Sequence, residues 1–325
     1  MQGEMKIFDE VFHGEIIKKF KEFIKPFNEI SLDKWLIFSD YCFDDKQKLY
    51  NSAAFTIIPY IDHPDTLKQV MNLIAPKDLK KTKNIDAKFG EFIKSGYVFN
   101  LSLVFEKDEG HYFLKRTKDV YQADINSLIK GVQKWIENTP KQANYYKQTI
   151  KKMKILNQEM ERRTFNLKLY QNTYIIQAIV TYLFYIISNE SKVKPTSLGW
   201  FSDRDSVLTS NNGLIKDLIN INYHSLCEYK GISEKECPKL FFPDNASFNE
   251  KTLWYDELNR IPDYLAGALA GRNYVSPEKD KYDELFEEAI AENPYLGVIN
   301  FDFENKEKRI NSLTFQLAKK DEIKK

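Results

Sequence analysis

The sequence predicts an α/β protein, a mixed sheet flanked by helices and interrupted by a helical insertion. Three observations carry that expectation. Short runs rich in aromatic and β-branched residues recur at 34–41, 53–61, 97–106, 197–203 and 239–242, and their length and composition suit strands. Between the third and the fourth, 119–190 carries helical periodicity and no strand signal. After the fourth, helical segments alternate with the remaining strands, the order of a layered α/β fold.

The chain opens on an amphipathic helix over 5–28. Phe8, Phe12, Ile16, Phe20 and Phe23 recur at helical spacing, and Pro26 is expected to stop it. Runs 34–41 and 53–61 flank the charged connection "DDKQKLYNS" and read as a hairpin. A helix opens at His63-Pro64, a polar and partly helical connection follows, and 97–106 is a strand by composition and alternation. "HYFLKRTK", 111–118, adds a short candidate strand. Ile125, Leu128, Ile129, Val132, Trp135 and Ile136 form one apolar helical stripe, which Pro140 interrupts. "TYIIQAIVTYLFYII" has 15 residues including Gln177, too short to span a bilayer comfortably, so it reads as a buried core helix. Helices are expected at 212–231, 252–273 and 281–293, a late strand at 295–305 and a frayed tail at 318–325.

With 325 residues, 42% hydrophobic and 29% charged, the chain has ample material for a core. A net charge of +1 provides no global field toward nucleic acid, so any such footprint is local. The one strong local bias is 141–168, where eight Lys or Arg face Glu159 and Glu161. Such a run serves either as a solvated helix face or as a contact for a phosphate backbone. Cys42, Cys227 and Cys237 are widely spaced and form no CxxC pair, which points to a reducing cytoplasm. The N-terminus mixes acids and bases and does not read as a signal peptide. His13, His63, His111 and His224 are scattered, which argues against zinc. No GxxxxGK[ST], GxGxxG or GxSxG motif occurs.

The informative feature is a repeated ending. "WLIFSD" closes on Asp40 and "LGWFSD" closes on Asp203, each through a Phe-Ser-Asp triplet at the end of an apolar strand. A third acid, Asp263, lies in "RIPDYLAGALAG", at the expected start of a helix whose small residues suit close packing on a sheet. Asp205 can join or replace Asp203, and Arg204 between them either contacts phosphate or balances charge. Any one such Asp is also ordinary turn or cap chemistry. Three or four hard carboxylate oxygens that converge suit Mg²⁺ or Mn²⁺, and such ions promote phosphodiester cleavage.

This series resembles the RNase H-like bacterial family known as domain of unknown function 3800. In that family an N-terminal strand ends in Asp and a β-hairpin follows. A central strand ends in a second Asp, and a late helix start supplies the third. The matching stretches are "IFSDYCF…AAFTIIPYI", "GWFSDRD" and "IPDYLAGALAG". The resemblance spans 34–105 and 170–272 and leaves the block between them as an insertion. It implies an RNase H-like mixed sheet and a metal-dependent nuclease with Asp40, Asp203 and Asp263 as catalytic and metal-binding residues, to which the reading of "SDRD" adds Asp205 as a further metal ligand. Tyr41-Cys42 stand where the family usually has Glu and Ser or Thr, and Pro262 stands where Ala is usual.

The expected division is 1–118 and 171–325 as two parts of one sheet domain, with 119–170 as the insertion. The first reading is a phosphodiesterase acting on RNA or DNA, in phage defence or a mobile element. Lys147, Lys151, Lys152, Lys154, Arg162, Arg163 and Arg204 would hold the nucleic acid. The second is a catalytically inactive binding or assembly module whose helical insertion meets a protein partner or a second copy. No membrane partner is expected.

Overall fold

The computed structural model describes residues 2–107, 116–244, 250, 252–271, 281–304 and 307–317. His111, most of the candidate strand 111–118 and the tail 318–325 lie outside them. Seven strands form one mixed sheet: β1 (Lys34–Cys42), β2 (Tyr50–Pro59), β3 (Phe99–Glu106), β4 (Ser197–Ser202), β5 (Lys239–Phe241), β6 (Leu296–Glu304) and β7 (Glu307–Leu313). Their spatial order is β5-β4-β1-β2-β3-β6-β7. β1, β2 and β3 are an antiparallel meander, β4 runs parallel to β1, and β5 runs parallel to β4. β6 joins β3 in parallel and turns back antiparallel into β7.

Helices cover both faces. On one side lie α1 (Gln2–Val11), α2 (Ile17–Glu29), α5 (Lys118–Asn138), α6 (Ala143–Glu161), α7 (Leu167–Glu190) and α8 (Ser206–Tyr229). On the other lie α3 (Pro64–Ile74), α4 (Ala87–Ile93), α9 (Asp256–Gly271) and α10 (Lys281–Leu285). Strand alternation splits the apolar residues between them. Trp35, Ile37, Phe55, Leu101 and Trp200 join the α7 side, whereas Phe38, Ala54, Ile58 and Phe201 join the α9 side. A sheet buried on both faces needs nearly continuous apolar strands, and β1, β2 and β3 supply them.

Several expectations change. Pro26 does not stop the first helix: α2 continues to Glu29. Phe27 is buried and meets Trp35 edge-on at 5.6 Å, and that packing offsets the hydrogen bond lost at proline. The block 119–170 packs onto the sheet domain. Ile125, Val132, Tyr146, Met153 and Leu156 belong to the same core as the sheet's α7 face. The helix expected from residue 212 begins at Ser206 and kinks where Asn211, Asn212 and Gly213 take positive φ. β7 went unrecognised because its "EKRINSL" has no apolar alternation. Among the described residues no helix is long and apolar enough to cross a membrane. Cys42, Cys227 and Cys237 are all free thiols.

Gly90 marks a tight junction on the α9 side. A Cβ there would stand 2.6 Å from the carbonyl oxygen of Glu288, and backbone cannot step aside as a side-chain tip can. Gly90→Ala is therefore expected to cost about 1–3 kcal/mol. Urea denaturation checks this through a lower midpoint at unchanged slope.

Candidate active site

The Phe-Ser-Asp repeat has a structural cause. β1 and β4 are parallel and in register, with Phe38 opposite Phe201 and Ser39 opposite Ser202. Asp40 and Asp203 each follow by one residue, Asp40 still within β1 and Asp203 just past the end of β4. Alternation sends the first and third residue of each triplet to the α9 side and the serines to the α7 side. Phe38 and Phe201 stack at 5.7 Å beneath the acids. Ser39 and Ser202 are fully buried. Trp200 Nε1 donates to Ser39 Oγ at 2.9 Å, Ser39 Oγ lies 2.7 Å from Tyr41 Oη, and Ser202 Oγ donates to Tyr41 Oη at 3.0 Å. Tyr41 thus closes a hydroxyl layer that ties β1 to β4 directly behind the two carboxylates. β1 runs on to Cys42, so Asp40 lies within the strand rather than at its tip.

Asp263 arrives differently from the sequence expectation. α9 begins at Asp256, which places Pro262 and Asp263 inside the helix and not in its first turn. The helix dipole therefore does not hold Asp263. Its Oδ2 accepts from Leu79 N at 2.8 Å, in the short turn Leu79–Lys81. α9 is itself fixed to the hairpin: Ser52 Oγ donates to Ala266 O at 2.6 Å and Leu49 N donates to Ala270 O at 3.1 Å. The small residues divide this work. Ala266 and Ala270 meet the β1–β2 hairpin, while Gly267 makes room for Leu79.

Backbone N–H groups hold one oxygen of each of the other acids too. Asp40 Oδ1 accepts from Tyr41 N at 2.7 Å, Asp203 Oδ1 from Arg204 N at 2.7 Å, and Asp205 Oδ1 from Leu208 N at 2.9 Å as the N-cap of α8. All four acids line one cavity of about 930 Å³. Among the described residues none of the four is in an ion pair. Burial, then the charge of Asp263, push the Asp40 carboxyl well above the usual range, and Asp203 and Asp205 add to this. Asp205 rises to about 6 through burial and the charge of Asp203. Asp263 rises to about 6 mainly through burial, with Asp78 and Asp203 adding, against the Leu79 N–H and Lys80.

The donor set is all oxygen, which suits a hard divalent cation. Among the described residues, however, no three His, Cys, Asp or Glu side chains are grouped to hold one ion. The acids share a cavity without forming a closed coordination shell.

The basic stretch stands elsewhere. α6 packs on α5 and α8, on the α7 side of the sheet, whereas the acids open on the α9 side. Lys147, Lys151, Lys154, Arg162 and Arg163 are exposed, and Lys152 is tied to Asp217 at 2.8 Å. Lys168 pairs with Asp44 in the β1–β2 turn. Arg204 braces the loop before α9: its Nη1 donates to Glu250 O at 2.6 Å and its Nη2 lies 3.9 Å from Asp256. The cations that do line the acidic cavity are Lys48, Lys80, Lys81, Lys281, Arg204 and Arg260. Sequence reading found only Arg204 among them. "KDLKK" at 77–81 was the available signal, but it lies about 180 residues from Asp263. No protein-family model, curated protein or solved structure matches the chain.

The raised carboxyls fix the sign of a pH effect. Asp263 binds its proton more tightly folded (about 6) than at its ordinary 3.8, so its contribution to stability is complete below pH ~4 and is lost as pH rises through ~6. A difference of this size amounts to about 1–3 kcal/mol. In chelator, Asp40→Asn removes one of the repelling charges. Its melting temperature is expected to exceed that of the wild type at pH 7, and the gap to close by pH 4. Calorimetry of both proteins across that range checks it.

Proposed function

We propose that this chain is a divalent-metal-dependent hydrolase of phosphodiester bonds in RNA or DNA, built on an RNase H-like sheet. The observation that carries the reading is the register of β1 and β4, which brings Asp40 and Asp203 to the same end of the sheet, in the cavity that Asp205 and Asp263 also line. The strand order β5-β4-β1-β2-β3, with an antiparallel meander and two strands parallel to β1, supports the resemblance read from the motifs.

Mg²⁺ or Mn²⁺ would be held by Asp40, Asp203 and Asp263, with Asp205 as a further ligand, and when bound would activate water and neutralise the leaving oxygen. The chain's own residues do the rest. The backbone N–H groups of Tyr41, Arg204 and Leu79 orient the carboxylates. Lys48, Lys80 and Lys281 at the cavity wall attract a phosphate toward acids that alone would repel it. The exposed cations of α6 offer a second, more distant footprint for a long strand. A role in phage defence or a mobile element follows from the family resemblance alone.

The lack of a ready-grouped metal set among the described residues favours a second reading, an inactive binding or assembly module acting through α5 and α6. One experiment separates the two. Under the first reading, Mg²⁺ or Mn²⁺ supports cleavage of labelled RNA or DNA, EDTA stops it, and Asp40→Asn lowers it at least ~1000-fold while the protein stays folded. Unchanged cleavage in Asp40→Asn, or no Mn²⁺ binding at millimolar concentration, rejects the first reading.

A further inference from the structure

A second cavity, of about 630 Å³, lies along the same face of the sheet. Its floor is Leu36, Gly199 and Phe201, on β1 and β4. Its walls are three aromatic rings that stay substantially exposed: Tyr60 at 36%, Phe241 at 49% and Trp254 at 44%. Trp254 stands edge-on to Phe201 at 4.9 Å, so its orientation is fixed by the floor. Gly199 keeps the floor deep. A Cβ there would meet the Phe201 ring at 2.8 Å and Leu36 at 2.9 Å. Lys34 and His63, both exposed, stand at the end remote from the four acids, together with Asp65, whose Oδ2 lies 3.1 Å from His63 Nδ1 and whose Oδ1 accepts from Lys68 Nζ at 2.7 Å.

The two cavities are neighbours. Phe201 lines the aromatic slot, and Asp203, two residues further along the chain, lines the acidic cavity. Two residues of strand span about 7 Å. The segment before α9 runs between them, with Thr252 and Asp256 on the acidic side and Trp254 on the aromatic side. A ligand lying along β4 therefore meets carboxylates and cations first, then flat aromatic walls, then a lysine. That alternation of charge and ring is the pattern of an unpaired nucleic-acid strand: phosphate, exposed base, phosphate. A duplex keeps its bases stacked inside and offers no face to such walls, whereas every unpaired base has a π-face that stacks on Trp, Tyr or Phe.

Resting on the nuclease reading above, we infer that this slot binds the unpaired base next to the scissile phosphate, which makes single-stranded nucleic acid the substrate class. Trp254 and Phe241 clasp the base, and Lys34 meets a phosphate further along. The slot accepts any base, since its walls carry stacking surface rather than a pattern of donors and acceptors.

The test uses the full chain carrying Asp40→Asn, so that binding is read without cleavage. The probes are a fluorescein-labelled single-stranded hexamer and the same sequence as a blunt duplex, followed by anisotropy at fixed salt. The single strand is expected to bind at least ~10-fold tighter than the duplex. Adding Trp254→Ala or Phe241→Ala is expected to weaken single-strand binding about 5- to 150-fold, the range for loss of one stacked base, with little effect on the duplex. Variants at two different lining residues guard against misfolding of either. Equal affinity for the two probes, no binding of either, or full affinity in both variants overturns the slot. Single-strand binding that depends on Trp254, without metal-dependent cleavage by the wild type, keeps the slot and rejects the nuclease. Cleavage of duplex by the wild type, indifferent to Trp254 and Phe241, does the reverse.

Discussion

Much of this molecule depends on the parallel pairing of β1 with β4 in one register. The side-chain period of a strand is two, so a slip of a single residue would turn each Phe-Ser-Asp triplet inside out. The carboxylates would enter the apolar α7 layer and the serines would face the cavity. The hydroxyl layer of Trp200, Ser39, Tyr41 and Ser202 guards against this. A buried hydroxyl or indole N–H without a partner costs about 1–3 kcal/mol. Only one register lets Tyr41 reach both serines, so the layer penalises every other. Tyr41, the residue that departs from the resembled family's motif, is the piece that completes it.

The same pairing creates a cost. Burial first, and the neighbouring carboxylates after it, raise the proton affinity of Asp40, Asp205 and Asp263. Among the described residues the fold does not relieve this by pairing the acids with Lys or Arg. It uses backbone N–H groups, which hold a carboxylate's position without neutralising its charge. The cations line the same cavity, where they can draw in an anion. An arrangement of this kind is stable only because two apolar layers surround it, and it is relieved by whatever positive charge enters.

The two cavities on the α9 face make one path along β4. The acidic one is polar and deep, and the aromatic one is flat-walled and open. The segment leading into α9 serves both, since it carries Trp254 on one side and Thr252 on the other, and Arg204 braces it from the loop after β4 through Glu250 and Asp256, the first residue of α9. The end of β4, the start of α9 and the turn at Leu79 are therefore mechanically connected.

Local sequence determined a good deal. Six of the seven strands were legible because aromatic and β-branched residues cluster between polar turns, and the apolar run in α7 announced a buried helix. The three acids stood out because each closes or interrupts an apolar stretch. What the chain could not reveal locally is what long-range packing alone decides. Pro26 is tolerated because Phe27 packs on Trp35. Asp263 is held by Leu79 N–H rather than by a helix start, because α9 begins a further seven residues upstream, at Asp256. The basic stretch looked like the phosphate grip, yet α6 docks on the other side of the sheet, and the cavity's own lysines come from 48, 80, 81 and 281. Periodicity and turn chemistry act over a few residues, so a sequence displays them openly. Which side of a sheet a helix covers is settled by the sum of its contacts, and no short stretch carries that sum.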